Sequence, residues 1–135
     1  MKPVLLREHL GLPVAHPTSR EAWRRWLAAH HRSSSGVWLA RWTTAGGRPV
    51  LPDEVIVEEA LCFGWIDGRR MTASGGKPLV EVVPRRRGTA WSARNRGRVL
   101  RLIETGMMMP AGMAAVESAR ADGSWIAADA EALRR

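Results

Sequence analysis

Apolar and polar positions change period several times along this chain, and each change marks an element. Trp23, Trp26, Leu27 and His30 recur at i, i+3, i+4 and i+7, which lines them along one face of a helix while Arg20, Arg24, Arg25 and Ala28 fall elsewhere. Thr18-Ser19-Arg20-Glu21 reads as a capping box before that run, the Thr18 hydroxyl and the Glu21 carboxylate satisfying amides that the first turn leaves unpaired. After Ser33-Ser34-Ser35-Gly36 the period falls to two, and Val37 to Thr43 predicts a strand. Trp38, Ala40 and Trp42 then share one face, and Val37, Leu39, Arg41 and Thr43 the other. Thr44 to Pro49 breaks it. Pro52 with Asp53 and Glu54 suits the first turn of a second helix, where a missing N–H costs nothing and acids meet the positive end of the dipole. That helix runs to about Phe63 and ends at Gly64, with Val57, Ala60 and Leu61 inward and Glu58 and Glu59 toward solvent.

Trp65 to Thr72 and Pro78 to Val83 predict a hairpin across the flexible tip Ala73 to Lys77, stopped by Pro84. A third helix begins near Ser92, its apolar positions Val99, Leu100, Leu102 and Ile103, with Gly106 past its end; Pro110 opens a fourth that closes at Asp122-Gly123. Trp125 and Ile126 are expected to dock back on the core. Residues 1–17 read as an arm without periodicity, 18–126 as the domain, and 127–135 as a polar tail. Helix, strand, helix, hairpin, helix, helix lacks the regular βαβ alternation of a doubly wound sheet. The fold class expected is α+β: a single compact domain with a small, mostly antiparallel three-stranded sheet and about four helices.

Charge sharpens this picture at one place. Between Arg69 and Arg101 lie ten basic residues and one acid, Glu81, so that stretch carries +9 and the rest of the chain −1 of the net +8. An anionic partner, a small molecule or an acidic macromolecule, is the physical reading of such asymmetry. Arg outnumbers Lys 19 to 2, a bias that raises the isoelectric point by itself. The single cysteine, Cys62, rules out an intramolecular disulfide and sits in an apolar helix as a structural thiol. His9, His16, His30 and His31 show no metal-ligand spacing, so no metal and no cofactor is expected. The chain has no early apolar run of signal-peptide length and none approaching the roughly twenty residues of a membrane span, and a cytoplasmic location is the expectation.

The candidate site gathers at the hairpin and the start of the third helix. Asp67 follows Trp65 and Ile66 beside many guanidiniums, with a structural ion pair to Arg69, Arg85 or Arg86 as the plainer reading. Arg85 and Arg86, followed by Trp91 and Ser92 at a helix start, offer two anion attractors, guanidinium forks and unpaired amides. Antiparallel pairing predicts that Asp67 and Arg85 are neighbours, with Asn95 in the first helical turn reaching the same corner. The candidate set is Trp65, Asp67, Arg69, Arg85, Arg86, Trp91, Ser92 and Asn95. Arg94, Arg98 and Arg101, at i, i+4 and i+7, also read as a solvated helix face.

The runs Ala60 to Gly68, Pro84-Arg85-Arg86, Trp91-Ser92 with Asn95, Gly106-Met107, Pro110-Ala111-Gly112 and Ala121 to Trp125 resemble the YdeI/OmpD-associated family, also called bacteriocin-protection proteins. The resemblance extends from about Ser19 to Trp125. It implies a stress- or antimicrobial-resistance-type role and an association with an outer-membrane porin, and it lends no catalytic residue. Three functions follow as expectations: binding of an anion in an Arg-rich cleft between hairpin and third helix; a small enzyme or resistance factor acting on an anionic small molecule through Asp67, Asn95 and Arg85; and non-specific nucleic-acid binding by the basic stretch, with Trp91 available for stacking.

Overall fold

The computed structural model describes residues 6–42 and 50–129. The expected break at Thr44 to Pro49, residue Thr43 and most of the polar tail lie outside them. In chain order the elements are β1 (Glu8–His9), β2 (Leu12–Ala15), α1 (Arg20–His30), β3 (Val37–Ala40), α2 (Asp53–Cys62), β4 (Trp65–Ala73), β5 (Lys77–Pro84), α3 (Ala93–Glu104) and α4 (Pro110–Asp122). The fold is α+β, and its one sheet is mixed and five-stranded, in the order β1-β2-β3-β5-β4.

The expected three strands are thus two too few, because the arm joins the sheet. Leu10 and Gly11 both take positive φ, 48° and 79°, which is the backbone of a two-residue hairpin turn, and His9 pairs with Leu12 across it. β2 then lies parallel to β3, Val14 opposite Trp38 and Ala15 opposite Leu39, and α1 supplies the crossover that a parallel pair requires. Pro13 is tolerated for a geometric reason. The Val14 amide donates to the Arg7 carbonyl on the β1 side, so alternation turns the ring nitrogen of Pro13 toward β3, one residue ahead of where that ladder begins.

All four helices cover one face of the sheet. Val37, Leu39, Val80, Val82 and Trp65 meet Trp23 and Leu27 of α1, most of α2, Val99 and Leu102 of α3, and Val116 and Ala119 of α4 in one core. Trp38, Ala73 and Leu79 face the other way, covered by Leu6, Leu12, Val14 and Trp42. The alternation read over Val37 to Trp42 is therefore real on both faces, although β3 itself ends at Ala40.

Local corrections have local causes. The cap of α1 is Ser19 and not Thr18: its Oγ accepts from the Ala22 amide at 3.1 Å. Glu59 does not face solvent; it is fully buried, and its carboxylate takes Arg20 at 2.6 Å and Arg24 at 2.8 Å. Apolar periodicity assigns a glutamate outward, but two arginines of α1 reach across to neutralise this one, and that makes its burial tolerable. Trp125 packs on the core as expected, whereas Ile126 is 56% exposed. Ser92, Gly64 and Gly123 terminate their helices as read, the two glycines with φ of 75° and 85°.

Candidate functional site

A cleft of about 570 Å³ opens where the end of α1, the start of β4, the loop after β5 and one face of α4 converge. Its floor is aromatic and its rim cationic: Phe63, Trp65 and Trp91 below, Arg32, Arg85, Arg86 and Arg87 around. Ala111, Ala114, Ala115 and Ser118 of α4 make the opposite wall. These positions recur at helical spacing, and the helix can present such small residues so close to the sheet because Gly112 lets its backbone approach the end of α2. A Cβ at Gly112 would fall on the Cys62 carbonyl and within 2.7 Å of the Leu61 oxygen. The Met109 amide, at the same junction, donates to the Cys62 carbonyl at 3.0 Å.

Arg85 is the organising side chain of the rim. Its backbone amide extends the hairpin by bonding the Gly64 carbonyl at 3.0 Å. The chain then turns back through Gly88, at φ 81°, with Thr89 bonded to the Arg86 carbonyl at 3.4 Å. That turn lays the Arg85 guanidinium on the face of Trp91, 3.9 Å from the ring centroid. Nη2 donates to the carbonyls of Thr89 at 3.2 Å and Ala90 at 2.9 Å. Nε is covered and unpartnered, and no carboxylate among the described residues pairs with the group. Burial pulls this guanidinium below the ordinary arginine value. Trp91 is held in turn by its amide bond to the Ser124 carbonyl at 3.1 Å and by Trp125, whose ring lies 5.1 Å away.

One acid shares the cleft. Asp122 accepts from the Ser124 amide at 2.8 Å, and the Ser124 donors hold its carboxyl below the usual range, with the charge of Arg87 adding to them. At the α1 end His31 is tied to the Leu27 carbonyl at 2.8 Å and tilts against Phe63.

The structure divides the sequence-predicted set. Trp65, Arg85, Arg86 and Trp91 line the cleft. Asp67, Arg69, Ser92 and Asn95 do not, and the expected Asp67–Arg85 neighbourhood does not form. The register explains why: Trp65 pairs with Pro84 and Asp67 with Val82, so Arg85 continues past Gly64 while Asp67 stays inside the ladder. Asp67 instead pairs with Arg70 at 3.5 Å. Asn95 accepts from Arg98 at 2.6 Å, Arg98 forks onto Glu54 at 2.7 and 2.8 Å, and Arg98 also feels the charge of Asp67. These groups make a polar brace between α2, α3 and β4. Ser92 caps α3 by accepting from the Asn95 amide at 3.1 Å, so one of the expected anion-attracting amides is already satisfied.

Arg69 belongs to a bulge. Between Asp67–Val82 and Arg70–Val80 two residues, Gly68 and Arg69, oppose Glu81 alone. Glu81 closes the irregularity by accepting from the Arg69 amide at 3.2 Å and from its guanidinium at 2.8 Å, and that guanidinium bond holds the Glu81 carboxyl low. Gly68 leaves room for the carboxylate, since a Cβ there would sit 2.7 Å from Oε1.

Sequence reasoning did not reach His31, Arg32 or the α4 wall. The small-residue spacing of α4 carried a signal, whereas nothing in the sequence joins residues 31 and 32 to residues 85–87. Cys62 is buried and free, with burial pushing its thiol up to about 11. Among the described residues no group of three or more His, Cys, Asp or Glu could hold a metal ion, and no helix is long and apolar enough to cross a membrane.

Fold and cleft together define a small α+β domain that carries a cationic, aromatic-floored concavity at one end of its sheet. Residues 15–115 match the family described as Domain of unknown function (DUF8412), and the chain belongs to it. The matched span runs from the end of β2 into α4 and contains the whole Arg85–Gly88 turn. No curated protein and no solved structure matches the chain.

Proposed function

We propose that this protein binds an anionic ligand in the cleft between the Arg85–Gly88 turn and α4; the third helix, expected from the sequence as one wall, contributes no residue to it. The observation that carries the reading is Arg85: a guanidinium stacked on Trp91 at 3.9 Å, partly desolvated, and without a carboxylate partner among the described residues. A cation removed from water without a counter-charge is unfavourable unless something supplies one, and a bound anion does so through charge-assisted bonds. The protective, stress-resistance role implied by the resemblance to the YdeI/OmpD-associated family is compatible with a binding protein of this kind, working in the cytoplasm. Thermal melts with inorganic phosphate, citrate, nucleotides and an acidic peptide test it. A ligand at a hundred times its Kd adds about 2.7 kcal/mol to stability, which a melt resolves; no stabilisation by any of them at millimolar concentration overturns the proposal.

The enzymatic reading through Asp67, Asn95 and Arg85 is less favoured, since Asp67 and Asn95 are engaged around Arg98, away from the cleft. Nucleic-acid binding through the basic stretch is weakened by pairing: Arg69, Arg70, Arg94, Arg96 and Arg98 all have acidic partners.

A further inference from the structure

The two walls of the cleft differ in chemistry, and that difference specifies more than an anion. On one side stand Arg85, Arg86 and Arg87; on the other, Ala111, Ala114 and Ala115 continue the apolar surface of Phe63 and Trp65. Ala111 to Ser118 covers seven steps of helix, a track of small side chains roughly 10 Å long at 1.5 Å per residue. A bare inorganic anion would satisfy the guanidiniums and leave that track in contact with water. A multiply charged ligand would set its surplus charge against the apolar wall and against Asp122, the acid already lining the cleft. The volume falls in the range that holds small organic ligands.

We infer that the cleft takes a small amphipathic monoanion, a single carboxylate on an apolar body. The head meets the free Nη1 of Arg85 together with Arg86 and Arg87, and the body lies along the alanine face of α4. This rests on the anion-binding reading and goes beyond it by naming the ligand's chemical class.

Trp65 and Trp91 line the cleft, so intrinsic fluorescence reports occupancy, with calorimetry as a second readout. The probes are straight-chain carboxylates from acetate to octanoate, uncharged octanamide, and inorganic phosphate. Affinity is expected to tighten about two- to fourfold per added methylene, and octanamide to bind at least about tenfold more weakly than octanoate, because it forgoes the charge-assisted bonds. Ala114→Trp, at an exposed wall position, fills the track from the solvent side; it is expected to abolish the chain-length dependence and leave acetate unaffected. Equal affinities for acetate, octanoate and phosphate overturn the amphipathic assignment while leaving an anion site. Octanamide matching octanoate overturns it by removing the charge selection. Silence toward every anion in both readouts overturns this inference and the anion-binding reading together.

Discussion

Removing the Arg85 side chain separates a structural role from a ligand-binding one, and the two have different magnitudes. Arg85→Ala deletes a cation–π stack over Trp91 at 3.9 Å, about 1 kcal/mol in a half-buried setting. It also deletes two charge-assisted bonds to the Thr89 and Ala90 carbonyls, each about 1.5 kcal/mol or more before water replaces it. Thr89 and Ala90 are exposed, so water takes over both carbonyls and returns most of that loss. The change also relieves the covered, unpartnered Nε, roughly 1–3 kcal/mol, and frees about 2 kcal/mol of side-chain rotamer entropy. The opposing effects are of similar size, and the net expectation is a stability within about 1 kcal/mol of the parent. In urea that moves the midpoint by less than roughly half a molar with no change of slope. Anion affinity should nevertheless fall about ten- to a hundredfold, the equivalent of one or two lost charge-assisted bonds. Arg85→Lys keeps the charge but loses the planar stack and fork, and should lie between. The reasoning fails if Arg85→Ala costs more than about 3 kcal/mol, a loss that only a structural keystone produces. It also fails if anion affinity is untouched while the fold is intact.

Further perturbations test the frame around the cleft. Gly112→Ala gains about 1 kcal/mol of helix propensity but drives a methyl into the Cys62 and Leu61 carbonyls, so a net loss of about 1–3 kcal/mol is expected in thermal melts; a variant as stable as the parent would show that α4 can lift off α2 freely. Glu59→Ala uncouples α1 from α2, and since Arg20 and Arg24 are partly exposed and can rehydrate, the loss should be about 2–3 kcal/mol, below the full cost of breaking a buried pair. A urea midpoint unchanged within error would contradict it. Glu81, whose carboxyl is held low by Arg69, contributes stability that is complete above the ordinary glutamate range and is lost as pH falls through its lowered folded value. Glu81→Gln should therefore be less stable than the parent at pH 7, with the gap closing below about pH 4; a gap constant from pH 7 to 3 would assign the effect to packing.

Most elements were legible because their signals are local. Ser92 with Asn95, Pro110 with Gly123, and the alternation across Val37 to Trp42 each specify a terminus or a face from a few adjacent residues. What escaped depends on partners distant in sequence. β1 and β2 are two and four residues long, too short for a period to register, and Pro13 reads as a breaker until the neighbouring strand shows which way its nitrogen points. Glu59 reads as exposed until Arg20 and Arg24 are brought to it. The candidate site failed in a more instructive way. Hairpin pairing was the right premise, but Pro84 lies opposite Trp65 and not Ile66, and the partner of Asp67 is Val82, three residues short of Arg85. That shift carries Arg85 beyond the ladder and into the turn over Trp91.

The charge count makes the same point and ends more favourably for the cleft. A window from Arg69 to Arg101 holds ten cations and one acid, yet the fold brings Asp53, Glu54, Asp67 and Asp129 from outside the window to Arg70, Arg94, Arg96 and Arg98, while Glu81 takes Arg69. Five of the ten are thereby paired. Of the other five, Lys77 lies over Trp42, Arg101 is on α3, and Arg85, Arg86 and Arg87 stand together at the cleft. Folding therefore concentrates the uncompensated charge instead of spreading it. A protein adapted to track a phosphate backbone keeps its cations in register along an open surface. Here the acids that would have to be absent from such a surface are bonded to it, and three of the unpaired guanidiniums sit at a concavity with an aromatic floor. A steep salt dependence of duplex binding would require many cations released from their partners. A small anion needs only the three that stand together at the cleft.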